Sequence, residues 1–167
     1  MAKPSTSKNR GYFEPFYASL ILAAQENPNW AQYLSLVERG VWAGDDHSCY
    51  AAATLDLHGP PEPGVRWRRD RRRGIRLLRR ASRSVHMAML ELASAYENGE
   101  AGLRRSPRRA FELFERAVSF GSIAGRFHLG RCYYFGIGTR VNRRKAARLF
   151  RTAAGLGFPV YDSEADG

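Results

Sequence analysis

The chain has 167 residues and an apolar fraction of 44%, which is ordinary for one folded domain with a sizeable core. Its two cysteines, Cys49 and Cys132, exclude a disulfide framework, and no apolar run is long enough to span a bilayer. The formal net charge is +11, and residues 66–151 hold 23 Lys/Arg against six Asp/Glu, so we expect a negatively charged partner.

The N-terminal region divides into a polar start and an apolar helix pair. Residues 1–11 are predicted to be disordered, and residues 12–44 to form two helices, 12–26 and 28–40. Basic residues before the apolar run 16–24 resemble a secretory signal. Because Glu14 and Pro15 interrupt the join, we expect a cytoplasmic protein and keep export as the less favoured alternative.

The next segment, 47–85, combines an alanine-rich helix with an arginine-rich one. The first is predicted over 47–58, and the loop 59–64, GPPEPG, follows it as an insertion of the kind that can shape a binding surface. Residues 66–83 contain ten arginines in eighteen positions. Because Ile75, Leu78 and Ala81 still mark an apolar stripe, the pattern predicts a basic amphipathic helix within the fold.

The C-terminal half repeats one helical unit. Helices are predicted over 86–98, 107–120, 123–135 and 143–155, with turn glycines Gly136 and Gly138 in the last unit. Three capping residues are spaced 36 positions apart: Asp70, Ser106 and Asn142. Apolar residues at the same period are expected to form the core between repeats: Leu113, Phe114, Leu149 and Phe150. A fixed period of this length is typical of a solenoid.

The repeated residues resemble a known family. Leu-Gly-x-x-Tyr-x-x-Gly-x-Gly, beginning at Leu129, and Asn-x-x-Lys-Ala-x-x-Leu-Phe-x-x-Ala-Ala-x-x-Gly, beginning at Asn142, are similar to the Sel1-like repeat of the tetratricopeptide superfamily. The resemblance is strong over 86–121 and 123–157, and weaker over 47–85 and 12–44. It implies an all-α, right-handed solenoid over 12–157, with about four antiparallel helix pairs, that binds proteins. Residues 158–167 are then an acidic tail.

The sequence contains no recognisable catalytic or cofactor chemistry. We find no phosphate-binding loop and no paired histidines with metal-ligand spacing, and the four histidines are scattered. Gly136-Ile-Gly138 follows a predicted helix instead of a strand, which argues against a dinucleotide site. We therefore expect no metal, no cofactor and no enzymatic activity.

A basic ladder is the first candidate binding surface. It comprises the second and third residues after each cap: Arg72, Arg73, Arg108, Arg109, Arg144 and Lys145. Positive charge in the first turn of a helix opposes the helix dipole, and three repeats carry it at the same place. The alternative is a solvated rim, or ion pairs with residues such as Glu112 or Glu115.

The concave face implied by the resemblance is the second candidate surface. Its inward-pointing residues would be Tyr50, Thr54, Ser94, Phe127, Arg131 and Tyr134. Leu90 shares this face, but we expect it to pack against the next repeat. Aromatic residues with arginine are typical of protein–protein hot spots.

The sequence favours two functions, and a catalytic repeat protein that cleaves an acidic substrate is a third alternative supported only by the charge. The first is an interaction module, an adaptor or regulator such as a toxin-neutralising or signalling partner, that binds an acidic protein or peptide segment. The second is nucleic-acid binding through the arginine-rich helix, since affinity for phosphates comes mainly from Lys/Arg. The oligomeric state does not follow from these patterns.

Overall fold

The computed structural model describes residues 29–62 and 64–158, which form seven α-helices and no strand. The helices are α1 Trp30–Ala43, α2 Asp46–His58, α3 Arg71–Ala81, α4 His86–Asn98, α5 Pro107–Ser119, α6 Ile123–Phe135 and α7 Arg143–Gly155. The predicted helix 12–26, the N-terminus before it and the tail after Phe158 lie outside the described residues. None of the seven helices is long and apolar enough to cross a bilayer.

Packing follows the order of the chain. The most extensive contacts join α2 to α3, α4 to α5 and α6 to α7, and smaller interfaces join each pair to the next. Each pair is one repeat, and each repeat rests mainly on its neighbours, as in a solenoid. The prediction of an all-α helical solenoid is therefore confirmed.

One continuous core runs through the three complete repeats. It extends from Cys49 in α2 to Cys132 in α6, and Phe114 at its centre is fully buried. Leu113 is also buried, whereas Leu149 and Phe150 are only half-buried. No described repeat follows α7 to cover these last two side chains, so the apolar pattern overstated their burial.

Two of the three predicted capping residues make the expected hydrogen bond at the start of their helix. Asp70 accepts a hydrogen bond from the backbone N–H of Arg73 at 2.9 Å, and Asn142 accepts one from Lys145 at 3.0 Å. Ser106 also lies at an N-cap position, but its side chain makes no capping bond, so that part of the prediction is wrong. Pro107 follows it at the first helical position, where its fixed φ favours the helix.

The arginine-rich helix begins at Arg71, directly after the predicted cap Asp70, so residues 66–69 of the arginine-rich segment lie outside it. The preceding residues cross the end of α2: the Trp67 indole donates to the Asp56 carboxylate at 3.0 Å, and the Arg69 guanidinium donates to the Leu57 carbonyl. These contacts hold the segment extended until Asp70 caps α3. In the preceding loop, Glu62 accepts a hydrogen bond from the Trp30 indole.

The turn after α4 contains a strained residue. Gly99 and Gly136 end α4 and α6 in the left-handed conformation, and two residues later the chain has Ala101 in one repeat and Gly138 in the next. Ala101 has φ +54°, and it is the one non-glycine residue with positive φ in the described chain. That conformation costs an L-residue about 1–2 kcal/mol.

We therefore expect Ala101→Gly to raise the free energy of unfolding by up to about 1 kcal/mol. The relief of strain is partly offset by the greater freedom of glycine in the unfolded chain. The reciprocal variant Gly99→Ala should destabilise, because Gly99 also has positive φ, at +77°. Urea unfolding of both variants measures the two effects, and destabilisation by Ala101→Gly would contradict this reading of the turn.

Candidate partner-binding surface

The third residue after each cap points into its own repeat. The Arg109 guanidinium lies 5.4 Å from the ring centre of Tyr96, and the Lys145 ammonium lies 5.0 Å from that of Tyr133. Both are cation–π distances. These two members of the basic ladder therefore have aromatic partners on the preceding helix, although both side chains remain on the surface.

Arg73 occupies the equivalent position in the first complete repeat and makes ion pairs instead. Its guanidinium lies 3.2 Å from a carboxylate oxygen of Asp56, which stands where the later repeats have tyrosine, and 2.7 Å from Glu38 of α1. The Asp56 side chain is fully buried. Burial raises the pKa of Asp56, and the nearby Arg73 charge opposes that rise. Arg73 thus joins α1, α2 and α3.

The second residue after each cap points outward. Arg72, Arg108 and Arg144 are all exposed. Arg108 makes an ion pair with Glu112 one turn along α5, at 3.0 Å, and such exposed pairs stabilise a helix by about 0.5 kcal/mol or less. Neither Arg72 nor Arg144 makes an ion pair with a described residue. The structure therefore divides the basic ladder into an outer row, Arg72, Arg108 and Arg144, and an inner row that contacts its own repeat.

A groove about 680 Å³ in volume lies between α3 and the turn of the following repeat. We call it the arginine groove. Its walls are Arg71, Arg72, Arg76 and Arg79 on one side and residues 101–103 on the other, with Ile75 at its floor. Arg71, Arg72 and Arg76 make no ion pair with a described residue, and Arg79 donates to the Tyr96 hydroxyl at 3.3 Å. No carboxylate is among the residues that line the groove, and the nearby charge of Asp70, the cap of α3, acts on Arg76 from outside it.

A second groove of about 790 Å³ joins α2 to α4, and we call it the concave groove. Tyr50, Leu90 and Ser94 line it together, beside Met87, whose exposed fraction is 50%. His58 and Glu91 form an ion pair across it at 2.8 Å when the histidine is protonated. Three residues line both grooves, so the two are continuous at one rim: Arg71, Ala101 and Gly102.

The other predicted concave residues lie elsewhere. The Thr54 hydroxyl donates to the Tyr50 carbonyl within α2, at 3.1 Å. Phe127 and Tyr134 both contact the ring of Phe150 in the last repeat. Arg131 makes an ion pair with Glu97 of the preceding repeat, at 3.2 Å. The structure thus brings Tyr50 and Ser94 into one groove and uses the remaining four in contacts within or between repeats.

The described residues offer little for catalysis. Both cysteines are buried and free, and burial raises the pKa of each thiol, to about 12 for Cys132. A thiolate nucleophile is therefore disfavoured at neutral pH. Within residues 29–62 and 64–158 no three His, Cys, Asp or Glu side chains are grouped as a metal site would require.

Comparison with known families decides the assignment. The family model for the Sel1 repeat matches residues 47–86, 86–119 and 123–158, which coincide with the three helix pairs and cover more than half of the chain. The chain belongs to the Sel1 repeat family. Proteins of this family generally act as protein–protein interaction modules and are typically non-catalytic scaffolds.

Solved Sel1 repeat structures support the fold. A Sel1 repeat protein from Oxalobacter formigenes is 23% identical, with a TM-score of 0.66 over 74% of this chain and 91% of that one. The protective antigen c5321 of uropathogenic Escherichia coli, described as having the Sel1-like repeat fold, is 18% identical, with a TM-score of 0.53. That match covers 86% of this chain and 38% of the antigen. None of the curated proteins compared with the chain matches it significantly.

Sequence reasoning missed two features of this Sel1 repeat protein. The first is the Asp56–Arg73 pair, which the spacing did hint at, because Asp56 replaces the tyrosine of the later repeats. The second is the arginine groove, one wall of which comes from a turn in the next repeat. No pattern within the arginine-rich segment itself indicates that the turn lies against it.

Proposed function

We propose that this Sel1 repeat protein binds an acidic segment of a partner protein through its outward-facing arginines. The observation that carries the proposal is the outer row, in which three successive repeats expose arginine at the same position: Arg72, Arg108 and Arg144. The inner row of the ladder has partners within the fold. The outer row has only the weak pair of Arg108 with Glu112.

The outer-row arginines lower the stability of their own helices, which favours a role for them in binding another molecule. A cation in the first turn of a helix costs a few tenths of a kcal/mol or more, because it opposes the helix dipole. Exposed side chains gain little from packing that would offset this cost. In α5, where the Ser106 side chain makes no capping bond, the backbone N–H groups of the first turn can also attract a carboxylate beside Arg108.

Nucleic acid is the competing ligand. The positive charge of residues 66–151 would bind phosphates without sequence preference. Against this, the family generally binds proteins, and the aromatic residues Phe127 and Tyr134 pack within the last repeat instead of forming a free stacking platform. A protein partner is therefore the better-supported choice.

The test is the triple variant Arg72→Gln/Arg108→Gln/Arg144→Gln, measured with a fluorescently labelled Glu/Asp-rich peptide. We expect weaker binding and a smaller dependence of affinity on salt, with each lost contact contributing no more than about 1 kcal/mol because water and salt screen it. The melting temperature should stay the same or rise slightly as the conflict with the helix dipole is relieved.

The matched control removes three exposed arginines that lie outside the ladder, in Arg39→Gln/Arg66→Gln/Arg83→Gln. Both variants lose the same charge. A difference between their affinities for the peptide is therefore due to the position of the arginines and not to net charge. Unchanged affinity in the ladder variant, or an equal loss in the control, would show that the outer row is only a solvated rim.

A further inference from the structure

Successive repeats build the same groove from equivalent residues. In α3 the positions are Arg72, Ile75, Arg76 and Arg79, and in α5 they are Arg108, Phe111, Glu112 and Glu115. In both cases the turn of the following repeat forms the opposite wall, with residues 101–103 against α3 and residues 138–140 against α5. The architecture of the two grooves is therefore the same.

Their charges are opposite at two positions. Arg76 and Arg79 in the first groove stand where Glu112 and Glu115 stand in the second. The α5 groove neutralises itself, since Glu112 makes an ion pair with Arg108 and the groove also holds Arg140. The arginine groove contains no carboxylate among its lining residues. Of the two grooves, only the first therefore has no carboxylate among its lining residues.

We infer that the arginine groove is the site of the acidic segment, and that an apolar side chain of the same segment enters the concave groove. The inference rests on the proposed function. It adds where the acidic segment lies and which kind of side chain enters each groove. The two grooves meet at Arg71, Ala101 and Gly102, so one extended segment can occupy both. Arginine suits this role because its planar group can bind a carboxylate through two hydrogen bonds.

The residues that line each groove determine which side chains of the segment it can accept. The concave groove holds Tyr50, Leu90 and Met87, but it also holds Glu91 and Glu100. These carboxylates would repel an acidic side chain, whereas the apolar surface beside them suits an apolar one. The arginine groove has the reverse character, with four guanidinium groups over the buried Ile75.

The experiment is a selection from a random peptide display library with the purified full-length chain and two variants. Arg76→Glu/Arg79→Glu gives the arginine groove the residues that the next repeat has at the same positions, a choice that the fold already accommodates in α5. Arg39→Glu/Arg83→Glu is the control, since both residues are exposed, lie outside the basic ladder and the grooves, and give an identical change in charge.

We expect the wild-type chain and the control to enrich peptides with several Asp/Glu beside one apolar residue. The groove variant should bind those peptides at least roughly tenfold more weakly, because two attractive contacts with carboxylates are replaced by repulsive ones. Because Arg79 also contacts Tyr96, a second variant, Arg71→Gln/Arg76→Gln, keeps that hydrogen bond. It should show a smaller loss with an unchanged melting temperature.

Three results would overturn the inference. Equal affinity of the wild type and both groove variants for the selected acidic peptides would place the site elsewhere. An equal loss of affinity in the groove variants and in the Arg39→Glu/Arg83→Glu control would mean that only net charge matters. In either case acidic peptides would still be bound, so the proposed function would survive. Failure of the wild-type chain to enrich acidic peptides would remove both proposals.

Discussion

Arg73→Met is expected to lower the free energy of unfolding by about 3–5 kcal/mol at neutral pH. The substitution leaves the buried carboxylate of Asp56 without its cation, and only the Trp67 indole remains to donate a hydrogen bond to it. Chemical denaturation measures the loss. Arg72→Met is the matched control, because Arg72 is exposed one residue away and should change stability by no more than about 0.5 kcal/mol.

The loss of stability caused by Arg73→Met should become smaller as the pH is lowered. Burial already raises the pKa of Asp56 above its unfolded value, so the native state takes up this proton at a higher pH than the unfolded chain does. Removing Arg73 removes a charge that lowers this pKa, and the pKa therefore rises further. Stability relative to wild type should recover as the pH falls through the raised pKa. A deficit that is independent of pH, or a loss no larger than that of Arg72→Met, would contradict this account.

Phe114→Ala is expected to cost about 3–5 kcal/mol, the range for a buried aromatic side chain. Phe114 has 0% exposed surface, and its ring stacks on His128 of the next repeat with centroids 5.0 Å apart. The substitution opens a cavity at the joint between the second and third complete repeats. Because repeat stability depends on neighbours, unfolding should lose cooperativity there.

Phe150→Ala serves as the comparison for this prediction. The Phe150 ring contacts Phe127 and Tyr134 but is only half-buried, so its removal should cost less than the removal of Phe114. Thermal and urea unfolding of the two variants give the order directly. A larger loss for Phe150→Ala would mean that the last repeat, and not the middle of the solenoid, holds the main core.

Local chemistry explains which parts of the fold were predictable from the sequence. The helices 86–98, 123–135 and 143–155 match the structure at both ends, since apolar spacing, turn glycines and the Asn142 cap all act within a few residues. The Asp70 cap also gave the start of α3 correctly, whereas residues 66–69, which belong to the arginine-rich segment, precede the helix. There the decisive contacts, Trp67 with Asp56 and Arg69 with Leu57, join residues at least eleven positions apart.

The candidate site was less predictable than the fold, for the same reason. The sequence identified the basic ladder, but it could not divide the ladder into two rows, because the inner residues are distinguished by partners on the preceding helix. Arg109 contacts Tyr96 and Lys145 contacts Tyr133. The grooves likewise combine a helix of one repeat with a turn or helix of the next, a juxtaposition that only the packing of repeats produces.

A comparison of two ligand classes tests the central claim most directly. A labelled Glu/Asp-rich peptide and a labelled single-stranded DNA would be titrated with the wild-type chain at about 0.15 M ionic strength and at higher salt. We predict that the peptide binds more tightly than the DNA at the lower salt concentration. The peptide should also keep measurable affinity as the salt concentration rises, because apolar contacts contribute part of its binding energy. Tighter binding of DNA, with no binding of the peptide, would contradict the assignment of an acidic protein partner.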